Sequence, residues 1–402
     1  MKGFDKSIIE GILKKDIAVG KMTVGEIEKE YNLSNRKAYT YRLVTLERES
    51  LLSAFNDKDV VEQNVMLAKS KQKFQDLNRI ERKSFREASR VFNAVEALSQ
   101  SVINQFKKID FKVKPQSIFP KKNEGTRAII QFTDAHFNEL IDIDGNTYDF
   151  HIASQRMKEY AMEAKRYLAA NNCDDVLLAL TGDMLNSDRR LDEKLNMATN
   201  RTNACMLATK LIQQFILDLL KNVNKIDVTY VTGNESRVME FGFSDIVITD
   251  NYDTNIFNML TLVFEGKTDR VNFLRGNPVE NIVTINGKNI LLLHGTSLGQ
   301  APQATIQKLM GKYSQKGIII DYSIFGHIHF ANITDLYARS GALSGGNSYS
   351  DYGLALASKA SQNIHFIKKD GTINNVRVEL QQADNSGYSI ETHLDAYDIK
   401  PA

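Results

Sequence analysis

The sequence has little of several features that would place it in a protein class at once. Of its 402 residues, only Cys173 and Cys205 are cysteines, which offers neither a disulfide framework nor the ligand spacing of a zinc finger. No apolar run approaches the ~18 residues of a membrane helix, and residues 1–20 contain no signal-peptide core. We therefore expect a cytoplasmic protein without membrane contact, in which both cysteines are small buried hydrophobes.

Charge is distributed unevenly along the chain, although the formal net charge is only +2. Residues 1–126 hold 25 Lys and Arg against 17 Asp and Glu, a net charge of +8. Residues 127–402 hold 26 against 32, a net charge of −6. The basic first part is typical of a protein that binds a polyanion, and a solvated helical surface is the alternative.

Residues 1–55 resemble a helix-turn-helix unit. The pattern from Thr23 to Glu26 is a capping box that opens a short helix, and Ser34 is placed to cap the next one. In such a unit the second of these helices enters the DNA major groove. A helical adaptor that binds no DNA is the alternative. The candidate DNA contacts are the donors early in that helix: Arg36, Lys37, Thr40 and Arg42.

Proline and glycine are absent from Asp57 to Lys108, which permits one or two long helices. Aromatic and aliphatic residues recur there at coiled-coil spacing, among them Phe85, Phe92 and Phe106. We expect a long helical arm over residues 56–110, with homodimerisation as its first interpretation and contact with phosphates as the second. A linker over residues 111–126 is expected to follow, because proline and polar residues are concentrated there.

Beyond residue 126, predicted strands alternate with predicted helices, which indicates an α/β domain over residues 127–402. Asn286-Gly287 predicts a hairpin with a type I′ turn. Because open α/β sheets have their binding crevice at the carboxyl ends of strands, polar motifs that follow strands are expected to converge. Five such motifs occur: Asp134-Ala-His136, Gly182-Asp183, Gly233-Asn234-Glu235, His294-Gly295 and Gly326-His327-Ile-His329.

The motif side chains are oxygen and imidazole donors, with no thiolate among them. This set is more typical of a site for Mn, Fe or Zn made of oxygen and imidazole ligands than of a structural zinc finger. Seven ligands with a shared carboxylate meet the needs of a two-metal site. In such a site, ions roughly 3.5–4 Å apart activate a water and stabilise in-line displacement at a phosphate.

In their order and spacing, these motifs resemble the calcineurin-like metallophosphoesterase family, including the Mre11/SbcD-type nucleases, over roughly residues 127–380. The resemblance implies a four-layer α/β/β/α sandwich, preceded here by a helical N-terminal region, and two divalent metal ions. Mn²⁺ is the expected metal, with Fe or Zn as alternatives. The family pattern implies one metal on Asp134, His136 and His329. It also implies a second on Asn234, His294 and His327, with Asp183 as the bridge.

The chain departs from the family pattern at one position. The family usually has Gly-Asn-His, whose histidine helps to protonate the leaving oxygen, whereas this chain has Glu235, followed by Ser236 and Arg237. A carboxylic acid near two cations is expected to be ionised and therefore a poor acid. Glu235 then orients water, pairs with Arg237 or has no role. The candidate catalytic residues are Asp183, Asn234, Glu235 and Arg237.

Other polar residues carry weaker signals. Arg189 and Arg190 are candidate phosphate contacts, and the loop over residues 345–350 is a candidate for substrate contact. Without motif partners, three histidines are expected to lie at the surface or in satisfied hydrogen bonds: His151, His365 and His393.

The function expected from the whole sequence is that of a metal-dependent phosphodiesterase, a nuclease acting on DNA. One alternative is a phosphatase or phosphodiesterase for nucleotides or phosphoproteins, with the first 126 residues as an adaptor. The other is a non-catalytic DNA-binding protein in which the metallophosphoesterase fold is structural.

Overall fold

The computed structural model describes residues 5–54, 125–239, 244–299, 301–348, 358–390 and 399–402, with six isolated positions between 69 and 79 and Leu394. The chain divides into two compact units, Met1–Asn93 and Ala94–Ala402. The predicted arm and linker lie almost entirely outside the described residues, although the six isolated positions of the arm are helical. The boundaries of arm and linker, and dimerisation through the arm, stay predictions.

Three helices make up residues 5–54 of the first unit: α1 (Lys6–Val19), α2 (Val24–Glu30) and α3 (Asn35–Ala54). The predicted capping box of Thr23 and Glu26 is present at the start of α2. A left-handed residue, Asn32 with φ of 49°, turns the chain before α3. Buried side chains from all three helices form one small core: Ile9, Ile12, Leu13, Ile27, Ala38 and Tyr41.

Arg42 has to be removed from the predicted DNA contacts. Its side chain is buried, and its guanidinium is ion-paired with the buried carboxylate of Asp16 on α1. Burial would raise the pKa of Asp16, but hydrogen bonds from the Met22 amide and from Arg42 outweigh it and hold that pKa below its ordinary value. Arg42 therefore joins α3 to α1. Arg36 and Lys37 are exposed and Thr40 is half-buried, so their DNA contacts stay predictions.

The second unit is a mixed α/β domain. Its helices are α4 (Phe150–Ala170), α5 (Leu191–Leu195), α6 (Arg201–Leu219), α7 (Asp245–Thr249), α8 (Tyr252–Phe264) and α9 (Gln303–Ser314). Its strands are β1 (Arg127–Phe132), β2 (Ile141–Ile143), β3 (Asn146–Tyr148), β4 (Asp175–Leu180), β5 (Lys225–Tyr230), β6 (Val271–Phe273), β7 (Glu280–Ile285), β8 (Lys288–Leu293), β9 (Tyr322–Phe325), β10 (Asn332–Ile333), β11 (Tyr337–Arg339), β12 (Ser361–Ile367) and β13 (Ile373–Glu379). No described helix in either unit is long and apolar enough to cross a membrane.

The strands form two larger sheets and one hairpin. The first sheet has the order β13-β12-β1-β4-β5-β6, and the second has the order β10-β11-β9-β8-β7. Strands β1, β4, β5 and β6 run parallel to one another, and so do β8, β9 and β11. The outer strands β12, β13, β7 and β10 pair antiparallel with their neighbours. The turn between β7 and β8 has positive φ at both Asn286 (51°) and Gly287 (76°), which confirms the predicted type I′ hairpin. Strands β2 and β3 pair with each other.

Three apolar cores hold the second unit together. One face of the six-stranded sheet, with Ile130 of β1, packs on α4, α6 and α8. The opposite face, with Ile129, packs against the five-stranded sheet and its Leu292. The other face of the five-stranded sheet, with Leu291, packs on Ile306 of α9. Because side chains of a strand alternate in direction, neighbouring residues of β1 enter two different cores.

We predict that Arg42→Met lowers the free energy of unfolding of the first unit by about 3 kcal/mol, because it leaves the buried Asp16 carboxylate without its cation. The matched control is Arg36→Met, on an exposed position of the same helix, where a change within about 0.5 kcal/mol is expected. Chemical denaturation of the full chain, followed by circular dichroism, measures both. Equal midpoints for the two variants would contradict the buried ion pair.

Candidate metal centre

The predicted metal ligands follow strands β1, β4, β5, β8 and β9, and the fold brings them together. Their ligand atoms form two groups, and within each group these atoms all lie within 4.8 Å of one another. One group is Asp134, His136 and His329, and the other is Asp183, His294 and His327. The first group is the ligand set that the resemblance implies for one metal, and the second contains the implied bridge, Asp183, with two of the three ligands implied for the other metal. That these groups bind metal stays a prediction.

Close contacts of imidazole nitrogens, with one another and with side-chain oxygens, define the centre. His136 Nε2 lies 3.1 Å from His329 Nε2. His294 Nε2 lies 2.9 Å from Asp183 Oδ2 and 3.1 Å from Asn234 Oδ1. The amide oxygen of Asn234 is therefore placed beside the second group, as expected for a seventh ligand.

Backbone strain is concentrated at these positions. Five predicted ligands have positive φ: Asp134 (49°), His136 (46°), Asp183 (53°), His327 (75°) and His329 (61°). Among the described residues, the other non-glycine positions with positive φ are asparagines in turns, a residue type that tolerates this conformation. For aspartate and histidine the conformation costs of order 1 kcal/mol each, and it persists only where the surroundings impose it. The strain therefore points to a functional cluster.

Two glycines allow the backbone to approach the buried carboxylates. A Cβ on Gly233 would collide with Asp183 Oδ1, and a Cβ on Gly326 would collide with Asp134 Oδ2. Each carboxylate therefore occupies a space that any larger residue at the glycine would fill. This close approach explains why these two motifs need glycine.

The centre contains buried negative charge, which is unfavourable unless cations compensate it. Burial alone would raise the pKa of Asp134 and of Asp183, but the neighbouring histidines outweigh it and hold both pKa values below their usual range. Although burial opposes it, the Asp183 carboxylate raises the pKa of His294 to about 10. Burial and the charge of His294 lower the pKa of His327 to about 4. Carboxylate, amide and imidazole donors around this charge fit divalent Mn, Fe or Zn.

Asp253, at the start of α8, supports the centre and was not predicted. Its Oδ2 accepts hydrogen bonds from the Gly233 amide at 2.8 Å and from the Asp183 amide at 3.1 Å. Its Oδ1 accepts from the Met184 amide at 2.9 Å. One buried carboxylate therefore fixes two ligand-bearing loops to each other. A sequence signal for it was missing, because Asp253 lies 19 residues after Asn234 and in no strand-end motif.

Glu235 is held by two contacts in the centre. Its Oε2 lies 3.3 Å from Arg189 Nη2, and its Oε1 accepts a hydrogen bond from Asn234 Nδ2 at 2.6 Å. By binding the nitrogen of the Asn234 amide, Glu235 turns the amide oxygen towards His294. In the protein alone, burial and the Asp183 charge raise the pKa of Glu235. The protein's own surroundings therefore disfavour the ionised form of Glu235, in the opposite direction to the expectation from the sequence.

The candidate phosphate contacts have different surroundings. Arg189 donates to the Asn234 carbonyl oxygen at 3.0 Å and to Ser187 Oγ at 2.8 Å, which fixes its guanidinium beside the centre. Arg237 also reaches the Asn234 carbonyl oxygen, at 3.3 Å. Arg190 lies further out and pairs with Glu193, at 3.3 Å between Nε and Oε1.

The remaining predicted residues have structural surroundings. His365 is fully buried between Asn375 and Gln131, with ring-nitrogen contacts of 2.6 and 3.2 Å, and burial lowers its pKa to about 4. The expectation of a satisfied histidine is confirmed there. His151 is exposed, and His393 lies outside the described residues. Both cysteines are buried, as expected, and burial raises the pKa of each thiol to about 12.

Comparison with family models and with curated proteins gives no match. Solved structures similar to the chain include zinc-bound Vps29 from Entamoeba histolytica, with 12% identity, a TM-score of 0.28, and coverage of 63% of this chain and 99% of that one. A predicted phosphoesterase from Streptococcus pneumoniae gives 13%, 0.24, and coverage of 63% and 98%. A 5′-nucleotidase from Candida albicans gives 10%, 0.30, and coverage of 71% and 56%. With TM-scores below 0.5, these similarities assign neither a family nor a function to this chain.

We predict that Glu235→His slows hydrolysis of two phosphate esters alike, one with an activated aryl leaving group and one with an unactivated alkyl leaving group. The reason is that it removes the acceptor that orients the Asn234 amide. Glu235→Gln, which keeps a carbonyl acceptor, should retain most of the activity. Steady-state rates of the two variants on the two esters provide the measurement. Selective acceleration of the alkyl ester by histidine, of about 10²–10⁴-fold, would instead mean that a general acid had been restored.

Proposed function

We propose that this protein is a dinuclear metal-dependent phosphoesterase of the calcineurin-like metallophosphoesterase family. The observation that carries the proposal is the convergence of seven predicted ligand side chains, two of which are buried carboxylates and five of which lie on left-handed backbone. The three cores support the predicted four-layer α/β/β/α sandwich. They lie between a layer of helices and the first sheet, between the two sheets, and between the second sheet and α9.

The chain's own residues have distinct tasks in this proposal. Divalent ions, with Mn²⁺ expected, would supply Lewis acidity and a water ionised at neutral pH. One ion would be held by Asp134, His136 and His329. The other would be held by Asn234, His294 and His327, and Asp183 would be the shared ligand.

Phosphate recognition is assigned to Arg189. Its contacts with Ser187, Asn234 and Glu235 are made by Nε and Nη2 and restrict its position. Nη1 is the nitrogen that we assign to the phosphate oxygens, whose geometry a planar guanidinium matches. Glu235 and Arg237 act through Asn234: the first binds its side-chain amide, and the second binds its carbonyl oxygen.

DNA is the substrate that we propose, with the first unit as its binding module. The net charge of +8 over residues 1–126 and the exposed Arg36 and Lys37 at the start of α3 support this assignment. Tyr39 and Leu43 on the same helix are 55% and 49% exposed. Apolar and aromatic groups beside cationic donors suit a surface that contacts both bases and phosphates.

A small phosphate ester, such as a nucleotide, is the second candidate substrate. It is favoured by the acidic character of residues 127–402 and by carboxylates beside the metal centre, since Glu139, Asp142, Asp192 and Glu193 line the adjacent cavity. Either substrate places a phosphate ester at the same ligands.

The full chain loaded with Mn²⁺ should contain two ions by mass spectrometry and hydrolyse bis-p-nitrophenyl phosphate and DNA. Asp183→Asn removes the bridging charge, so bound metal should fall and turnover should drop by more than about 100-fold. Asp144→Asn, at an exposed position, is the matched control. Two ions retained in Asp183→Asn would contradict the bridge. DNA binding without cleavage of any ester by metal-loaded protein would favour the non-catalytic alternative.

The double variant Arg36→Ala/Lys37→Ala should weaken duplex DNA binding and reduce the slope of log K against log salt by about 2, one for each lost phosphate contact. Lys6→Ala/Lys14→Ala removes the same charge from exposed positions of α1 and should have little effect. Fluorescence anisotropy at several salt concentrations measures both. Equal loss in the two variants would indicate non-specific attraction, and unchanged affinity in both would indicate an adaptor.

A further inference from the structure

A cavity of about 730 Å³ opens beside the metal centre, with His136, Asp183 and His329 in its wall. Its size suits one small-molecule group of nucleoside dimensions. The cavity wall is acidic away from the metal ligands, and its arginine, Arg190, is already paired with Glu193.

One of the wall carboxylates is buried and incompletely hydrogen-bonded. Glu139 is 8% exposed, and its Oε1 accepts a hydrogen bond from the Asn347 side-chain amide at 2.9 Å. Its Oε2 has no hydrogen-bond partner in the part of the chain that the structure describes. A buried carboxylate oxygen without a donor is unfavourable, because the hydrogen bonds of water are not replaced. A bound group that donates a hydrogen bond would satisfy it.

The backbone holds Glu139 in this position. Its amide donates to the His136 carbonyl oxygen at 2.8 Å, which places Glu139 one turn after a predicted metal ligand. Asn347 and Ser348, from the loop that was a candidate for substrate contact, also line the cavity, and residues 349–350 lie outside the described part. The cavity is therefore built from residues next to the centre in the chain and in space.

The same wall has an apolar part. Leu140, Ile141, Ile143 and Ile328 line the cavity together with the carboxylates. Such a wall complements a flat or apolar group with hydrogen-bond donors on its rim. It does not complement a second phosphate, because that group would face Asp142 and Asp192 at like charge.

We propose that this cavity binds the alcohol part of the substrate, a nucleoside that donates a hydrogen bond to Glu139 and carries no second phosphate. The inference rests on the proposed phosphoesterase function and defines the group that lies beside the scissile phosphate. For a DNA substrate, that group is a terminal nucleoside and not an internal one, since an internal nucleoside carries a flanking phosphate into the acidic wall.

Direct binding tests the cavity without any turnover. Isothermal titration of thymidine into the full chain should show binding, and Glu139→Gln should weaken it about tenfold, because the free acceptor becomes a donor. The Gln side chain keeps an oxygen for Asn347, so the wall should stay folded. Asp144→Asn, a carboxylate of the β2–β3 turn outside the cavity wall, is the matched control and should leave the affinity unchanged.

Hydrolysis of paired esters with the same leaving group gives a second measurement. Glu139→Gln should lower kcat/KM about tenfold, through KM, for thymidine 5′-(p-nitrophenyl phosphate), and leave methyl p-nitrophenyl phosphate unchanged. A 3′-phosphate on the thymidine ester should lower the wild-type kcat/KM at least about tenfold, because it brings a like charge to the acidic wall.

Three results would overturn the inference: no thymidine binding by the wild type, equal affinity in Glu139→Gln, or loss of bound metal in Glu139→Gln with both esters slowed alike. The last would show that Glu139 supports the metal ligands. Thymidine binding that depends on Glu139, in a protein that cleaves neither ester, would support the cavity assignment and refute the catalytic proposal. The two ideas therefore fail separately.

Discussion

The centre of this protein depends on keeping two like-charged carboxylates, Asp134 and Asp183, buried and close to four histidines. Their relative exposures are 0% and 1%, so water screens the repulsion between their charges only weakly. Buried carboxylates are tolerated only when cations or donors compensate them. Many local features of the second unit serve this compensation, including the glycines that admit the carboxylates and the left-handed turns that direct imidazoles towards them.

The contrast between the two parts of the chain follows from different uses of charge. In the first unit, a buried ion pair between Asp16 and Arg42 fixes two helices, and the other lysines and arginines of residues 5–54 are exposed or half-buried. In the second unit, negative charge is gathered beside a site that is expected to hold metal. In the proposed function, the reacting phosphate would meet cations, whereas the rest of the substrate would meet carboxylates. Such a division would separate attraction of a polyanion from selection of the group to be cleaved.

Most of the centre was predictable from sequence because each ligand lies within a few residues of the strand that positions it. The strand pattern and the motif are local, and parallel strands that end at one edge bring the motifs together. Arg42 and Asp253 were different. Arg42 looks like its exposed neighbours, and only Asp16, 26 residues earlier, explains its burial. Asp253 belongs to a helix that was not predicted, and its partners are backbone amides, which leave no mark in the sequence. The positive φ angles were equally hidden, since aspartate and histidine tolerate them better than most residues but adopt them too rarely for the sequence to mark the positions.

The three amide hydrogen bonds of Asp253 have a mechanical consequence. They make the loops after β4 and β5 move as one body, anchored to α8, whose Phe257 stacks on Tyr230 of β5. The separation between Asp183 and Asn234 is therefore set by the packing of a helix on a sheet. Core substitutions that shift α8 would change this separation without touching a ligand. The tolerance of the centre is thus that of a packed hydrophobic interior, which deforms little, and not that of a surface loop.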